Sequence, residues 1–102
     1  MIRYKNWDCN VLFHTYRDNG NTAIQLVDAR DGQPVVTASV NLVTKLPEDQ
    51  VYIKDYSENE GVLNALVEGG ILSPPIAYAE TGFVTVPRCK ILVPIFQEEE
   101  EE

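Results

Sequence analysis

Few side chains in this chain are of a type that does chemistry, and they are scattered. His14 is the single histidine. It falls in an alternating run with no nucleophile or carboxylate patterned around it, whereas general-base or triad chemistry needs partners within hydrogen-bond reach. Cys9 and Cys89 stand neither at a helix start nor among bases that would lower a thiol pKa, so they read as buried thiols behaving as small hydrophobes. Two cysteines and one histidine fall short of the four ligands of a structural zinc site. Asp28, Asp31 and Gly32 are turn residues with too few regularly spaced oxygens for a calcium loop. No glycine-rich phosphate loop, dinucleotide fingerprint, nucleophile elbow or His-Glu-x-x-His occurs. The expectation is a protein that is not an enzyme, with no catalytic residues, no cofactor and no metal.

What remains is charge and aromatic surface. The chain has 102 residues with 16 acids and 8 bases, a net charge of −8. Glu98 to Glu102 carry five of the acids, which leaves the body at net −3. Within it, Glu48, Asp49, Asp55, Glu58, Glu60 and Glu68 face only Lys54, a local net charge of −5. Asp49, Tyr52, Asp55, Tyr56, Glu58 and Glu60 are the candidate protein-contact residues, with Tyr78 as a further aromatic. Tyrosine suits contacts because it offers area and a hydroxyl at little entropic cost. Glu58 and Glu60 also suit the positive end of a helix dipole, worth about 0.3–1 kcal/mol each, a role that accounts for them without function. An acidic balance argues against direct nucleic-acid binding, since phosphates require lysine and arginine.

The elements that must position these residues are mostly strands. Trp7, Cys9, Val11 and Phe13 alternate with Asn10, Leu12, His14 and Tyr16, the two-residue period of a strand. Asp18-Asn19-Gly20-Asn21 reads as a hairpin turn, because Asn and Gly tolerate positive φ. Thr22 to Ala29 returns, Asp31-Gly32 turns again, and Val35 to Leu42 is a third strand, giving an antiparallel meander. Val51 to Lys54 leads into the one convincing helix, about 58–68. Its start carries a capping box, Ser57 and Glu60, and its end a glycine pair, Gly69-Gly70. Val62, Leu63, Leu66 and Val67 form its apolar stripe. Gly61 within it marks a close approach or an unselected surface position. After Ser73-Pro74-Pro75, Ile76 to Ala79 is a strand or extended loop. Phe83 to Val86 is β-rich, Pro87 implies an edge or a bulge, and Arg88 to Val93 completes the sheet.

The fold expected is α+β: an antiparallel sheet of five or six strands with an N-terminal meander, packed against one helix. Residues 1–97 make a single domain and 98–102 a disordered acidic tail. The core expected holds Val11, Phe13, Ile24, Leu26, Val36, Val40, Ile53, Leu63, Leu66, Val84 and Ile91. No apolar run approaches the roughly 20 residues that span a bilayer, and the N-terminus lacks the apolar stretch of a secretory signal. No membrane contact and a cytoplasmic location are therefore expected.

The run Val51-Tyr-Ile-Lys-Asp-Tyr-Ser-Glu-Asn-Glu-Gly-Val-Leu-Asn-Ala-Leu-Val-Glu-Gly-Gly-Ile71 resembles the signature of a domain-of-unknown-function family of small bacterial proteins carried by phages, plasmids and conjugative elements. Gly20 to Asp28 and Thr81 to Cys89 resemble its flanking blocks. The resemblance implies a bacterial or mobile-element setting and no activity.

Three functions follow as expectations. The first is a non-enzymatic interaction module whose acidic lobe meets a basic protein partner. The second is an acidic DNA mimic that occupies the nucleic-acid site of a host defence or regulatory protein. The third is a small ligand-binding protein with Tyr16, His14 and Asp28 around a pocket. Oligomeric state is open, with a dimer through the first or last strand as one possibility.

Overall fold

The structure, a computed structural model, describes residues 1–95. The acidic tail expected at 98–102 lies outside the described residues. The α+β class and the N-terminal meander are present. Strands β1 (Ile2–Tyr4), β2 (Trp7–Thr15), β3 (Thr22–Asp28) and β4 (Pro34–Thr37) form an antiparallel sheet in that order. A second antiparallel sheet contains β5 (Gln50–Tyr52), β6 (Ala77–Glu80) and β7 (Thr85–Lys90), with β7 in the centre. Between β5 and β6 lie a 3-10 turn, Ser57–Asn59, and one α-helix, α1 (Val62–Glu68). Instead of one sheet of five or six strands, the described residues build seven short strands in two sheets.

The two sheets exist because the chain changes partners just after β4. Ala38 N–H donates to Ile24 of β3 (2.9 Å), while Ala38 C=O accepts from Lys54 beyond β5 (2.8 Å). Val40 N–H then donates to Tyr52 (3.1 Å), and Ser39 bridges Ile53. The switch leaves the fully buried Ile24 N–H without a strand carbonyl, and Ser39 Oγ accepts it (2.9 Å). A buried amide left unpaired costs about 1–3 kcal/mol, so this hydroxyl is a structural requirement of the seam. Tyr16 Oη shares a hydrogen bond with the same Ser39 Oγ (2.8 Å).

Side-chain alternation then sends residues to two cores. Cys9, Phe13, Ile24 and Leu26 from the first sheet meet Val51, Ile53 and Cys89 from the second, and Val62 and Leu66 of α1 close the volume. Tyr52 and Val86 point to the opposite face, where Leu46 covers them in a satellite core. Six of the expected core residues are buried: Phe13, Ile24, Leu26, Ile53, Leu66 and Ile91. Val11, Val36, Val40, Leu63 and Val84 are only partly buried and flank the two cores.

Pro87 sits in the central strand of the second sheet rather than at an edge or a bulge. Its missing N–H is where the β5–β7 ladder stops, the last full pair being Tyr52 and Arg88. Pro87 C=O still accepts from Ile53 (3.0 Å). At the first turn, Gly20 alone takes positive φ, 77°. Asn19 and Asn21 act through their side chains instead. Asn19 Oδ1 accepts the Asn21 amide, and the buried Asn21 side chain holds Leu46 N–H (2.8 Å) and Thr44 C=O (2.9 Å).

The helix ends on the glycine pair as expected. Ile71 N–H returns to Leu66 C=O (3.0 Å) and Gly70 N–H to Val67 C=O (3.1 Å), with Gly70 at φ 79°, a Schellman closure. Leu72 is buried beneath it. Gly69 serves differently. Its backbone is ordinary, φ −80°, but a Cβ there would collide with the Ile2 side chain of β1. Gly61 shows the reverse, with open space around it and φ 95°, so backbone conformation and not close approach explains it.

Gly69→Ala should therefore lower stability in urea unfolding by about 1–3 kcal/mol, an overpacking cost, although its φ admits alanine. Combined with Ile2→Ala, the loss should be less than the sum of the two single losses. Strict additivity would remove the contact from the explanation.

Candidate functional site

The segment between β5 and α1 is built around Asp55. Ser57 adopts φ 56°, and its side chain makes no capping bond. Glu60 N–H closes the 3-10 turn on Ser57 C=O (3.1 Å), so the serine–glutamate pair spans a separate turn and not the helix start. Gly61 breaks the path, and α1 begins at Val62. Asp55 Oδ1 supplies the cap that the sequence pattern assigned to Ser57. It accepts from Gly61 N–H (3.0 Å) and Leu63 N–H (3.1 Å). Asn59, almost fully buried, ties the 3-10 turn to β4 through Nδ2 and Thr37 C=O (2.7 Å).

Asp55 also lines a cleft of about 420 Å³. Tyr56 and Tyr78 border it, and Leu63, Pro75, Val84, Thr85 and Pro87 complete its walls. Tyr78 is 65 % exposed, and Ile76 and Phe83 nearby in sequence are exposed too. No Lys, Arg or His lines the cleft. Lys54, next in sequence to Asp55, is committed to Glu58 at 2.9 Å and lies 5.6 Å from the Tyr56 ring centroid. That pairing raises the Lys54 pKa and lowers that of Glu58, the hydrogen bond between them being the main cause.

The six sequence candidates separate in space. Asp55 and Tyr56 share the cleft, with Glu58 beside them through Lys54. Tyr52 is buried at 6 % exposure in the satellite core, so its ring is packing rather than surface. Asp49 lies at the other end of β5, 3.9 Å from Lys90. Glu60 and Glu68 line a groove with Arg3 and Lys5, which β1 brings alongside the helix. Lys5 Nζ and Tyr4 Oη both donate to Glu58 C=O (3.2 Å each). The net charge of −5 counted along the chain is thus moderated in space by Arg3, Lys5 and Lys90. The sequence marked Leu63 and Val84 as core, Pro75 as linker and Pro87 as an edge or bulge, and gave no sign that they line one cleft with Thr85.

Tyr16, His14 and Asp28 are not brought together. His14 lies opposite Ala23 on the exposed face of β2, whereas Asp28 lies opposite the buried Cys9. Tyr16 belongs to the Ser39 seam. Asp28 accepts from the Arg30 guanidinium (3.0 Å) and amide (2.9 Å), and these bonds hold its carboxyl below the usual range. Both cysteines are buried free thiols. Burial pushes Cys89 up to about 11, with Asp55 adding to the shift, and burial likewise raises Cys9. Among the described residues no cluster of three His, Cys, Asp or Glu side chains could hold a metal ion. No described helix is long and apolar enough to cross a membrane.

No protein-family model, curated protein or solved structure matches the chain. These comparisons therefore add no support to the resemblance read from the segment 51–71.

Asp55→Ala should cost about 1 kcal/mol, the usual cost of losing a helix cap, and Asp55→Asn less. Ser57→Ala should stay within about 0.5 kcal/mol of the unaltered chain in the same urea titration. Equal losses at the two positions would restore the serine cap. The raised Cys89 pKa gives a second expectation. In the unfolded chain the thiol ionises near its ordinary value, while the folded chain keeps it protonated up to about 11. Its contribution is present below the unfolded pKa and lost as pH rises through this window. Stability measured across that alkaline range should fall more steeply for the unaltered protein than for Cys89→Ala. Parallel curves would exclude the linkage.

Proposed function

We propose that the protein is a non-enzymatic protein-interaction module, and that its contact surface is the cleft at the start of the helix together with the second sheet beside it. The observation that carries this reading is the combination at one place of a carboxylate, Asp55, that makes no ion pair among the described residues, two tyrosines and an apolar wall. Such a mixture of aromatic area and few polar groups is typical of recognition surfaces. Ile76, just before β6, and Phe83, in the turn between β6 and β7, are exposed apolar side chains of the same hairpin. A basic partner is favoured, because the acids of this region outnumber its bases even after Lys54 is paired with Glu58. A bacterial or mobile-element setting rests on the sequence resemblance alone. The DNA-mimic reading has less support, since Glu60, Glu68 and Asp49 lie beside Arg3, Lys5 and Lys90 instead of forming an unbroken acidic face.

The test is capture from bacterial host lysate on the immobilised chain at low and at moderate salt. A basic polypeptide should be retained at low salt and progressively released as salt screens the contact. Retention of nothing, or retention indifferent to salt, would remove the reading.

A further inference from the structure

We infer that the cleft receives a lysine or arginine side chain from an extended segment of the partner, and that this segment pairs with the outer edge of β6. The inference rests on the interaction reading above and gives it a geometry. The edge is open for a backbone reason. Pro87 C=O accepts from Ile53 and so faces β5. Tyr78, directly across from Pro87, then occupies a non-hydrogen-bonded pair, with its own N–H and C=O turned away from β7. By the two-residue period the same holds for Glu80. No described strand pairs with that side of β6.

The side chains lie in step with this edge. Tyr78 and Glu80 share a face with their cross-strand partners Pro87 and Thr85, and both partners line the cleft. A strand added beside β6 would therefore present alternate side chains to the cleft, with main-chain bonds giving affinity and the cleft giving selectivity. β6 is only four residues long and follows Pro74-Pro75, so the added segment is short.

Charge selects its side chain. Asp55 Oδ1 is engaged by two amides, and no described hydrogen bond engages Oδ2. Glu80 stands next to Thr85 with Oε2 at 3.3 Å from Oγ1. An acidic segment would be repelled by both carboxylates, and an apolar one would leave Asp55 uncompensated. A guanidinium or ammonium group meets the carboxylate and can also lie against a tyrosine face.

The full isotope-labelled chain titrated with acetyl-Thr-Val-Arg-Val-Thr-amide tests this by amide chemical shift. Saturable shifts should appear at Tyr78, Glu80 and Thr85, and the same peptide with norleucine for arginine should bind about tenfold more weakly. Asp55→Asn keeps a carbonyl acceptor for the helix cap, and Tyr78→Ala alters an exposed position. Each should bring the two peptides within about twofold of one another. Equal binding of the two peptides by the unaltered chain, or shifts confined to another surface, overturns the inference. Tetramethylammonium reproducing the arginine shifts at equal affinity would assign the cleft to small organic cations and overturns it likewise. A lysate partner held equally by Tyr78→Ala would leave the broader reading standing and remove this site. Arginine-selective titration without any captured partner would count against the broader reading alone.

Discussion

The strand switch at Ala38-Ser39-Val40 is the constraint on which the rest depends. One short segment bonds to β3 on one side and to the Tyr52–Lys54 stretch on the other. Two sheets thereby share one core instead of extending as a single flat ribbon. The switch has a local cost, a buried amide at Ile24, and one hydroxyl, Ser39 Oγ, removes it. Burial of the apolar inner faces supplies the driving force, but it is not directional. The hydrogen bonds at the seam specify which residues meet.

That seam also determines where the cleft forms. Because Pro87 has no N–H to return to Ile53, and Lys54 N–H turns to Ala38, β5 ends early, and the chain leaves the sheet at Asp55. The helix starts only at Val62, after a turn that Asn59 ties to Thr37 and that Gly61 leaves at positive φ. Asp55 bridges the interruption by capping α1 from six and eight residues upstream. A carboxylate fixed by two backbone amides at the junction of a sheet and a helix is better positioned than one on a loop. Oδ1 maintains the fold through these amides, while no described hydrogen bond engages Oδ2.

The parts legible in sequence were those governed by short-range periodicity. Alternation from Trp7 to Phe13 gave β2, with Cys9 and Phe13 buried and Val11 half-buried, although Trp7 at the start of that face is exposed; the three- and four-residue spacing of Val62, Leu63, Leu66 and Val67 gave the helix stripe. Gly70 was legible because a helix end needs one residue of positive φ. Strand β1 was missed because only three residues precede a tight turn in which Lys5 takes φ 54°, which an L side chain rarely adopts. The capping box misled for a related reason. Ser57 and Glu60 have the right types and spacing, but the pattern holds no information about Gly61 restarting the helix later, nor about a tertiary bond from Asn59. Asp55 as cap and cleft residue depends on chain direction after the seam, which no local window encodes.

Charge shows most plainly how sequence distance and spatial distance diverge. Six acids counted against Lys54 imply a broad negative lobe. Folding brings Arg3 and Lys5 to the same helix from far upstream, and Lys90 to Asp49 from far downstream. Exposed pairs of this kind contribute little to stability, typically 0–1 kcal/mol. Their larger effect is on the field outside the protein, which they break into small patches within about a Debye length, roughly 8–10 Å at physiological salt. If the protein recognises a partner as proposed, that recognition cannot depend on summed negative charge over a long face. It depends on the places where a carboxylate remains without a base of its own chain and where aromatic and apolar walls exclude enough water for that charge to be felt. Asp55, which lines one cleft with Tyr56 and Tyr78 and makes no ion pair among the described residues, is the described carboxylate that fits this description best.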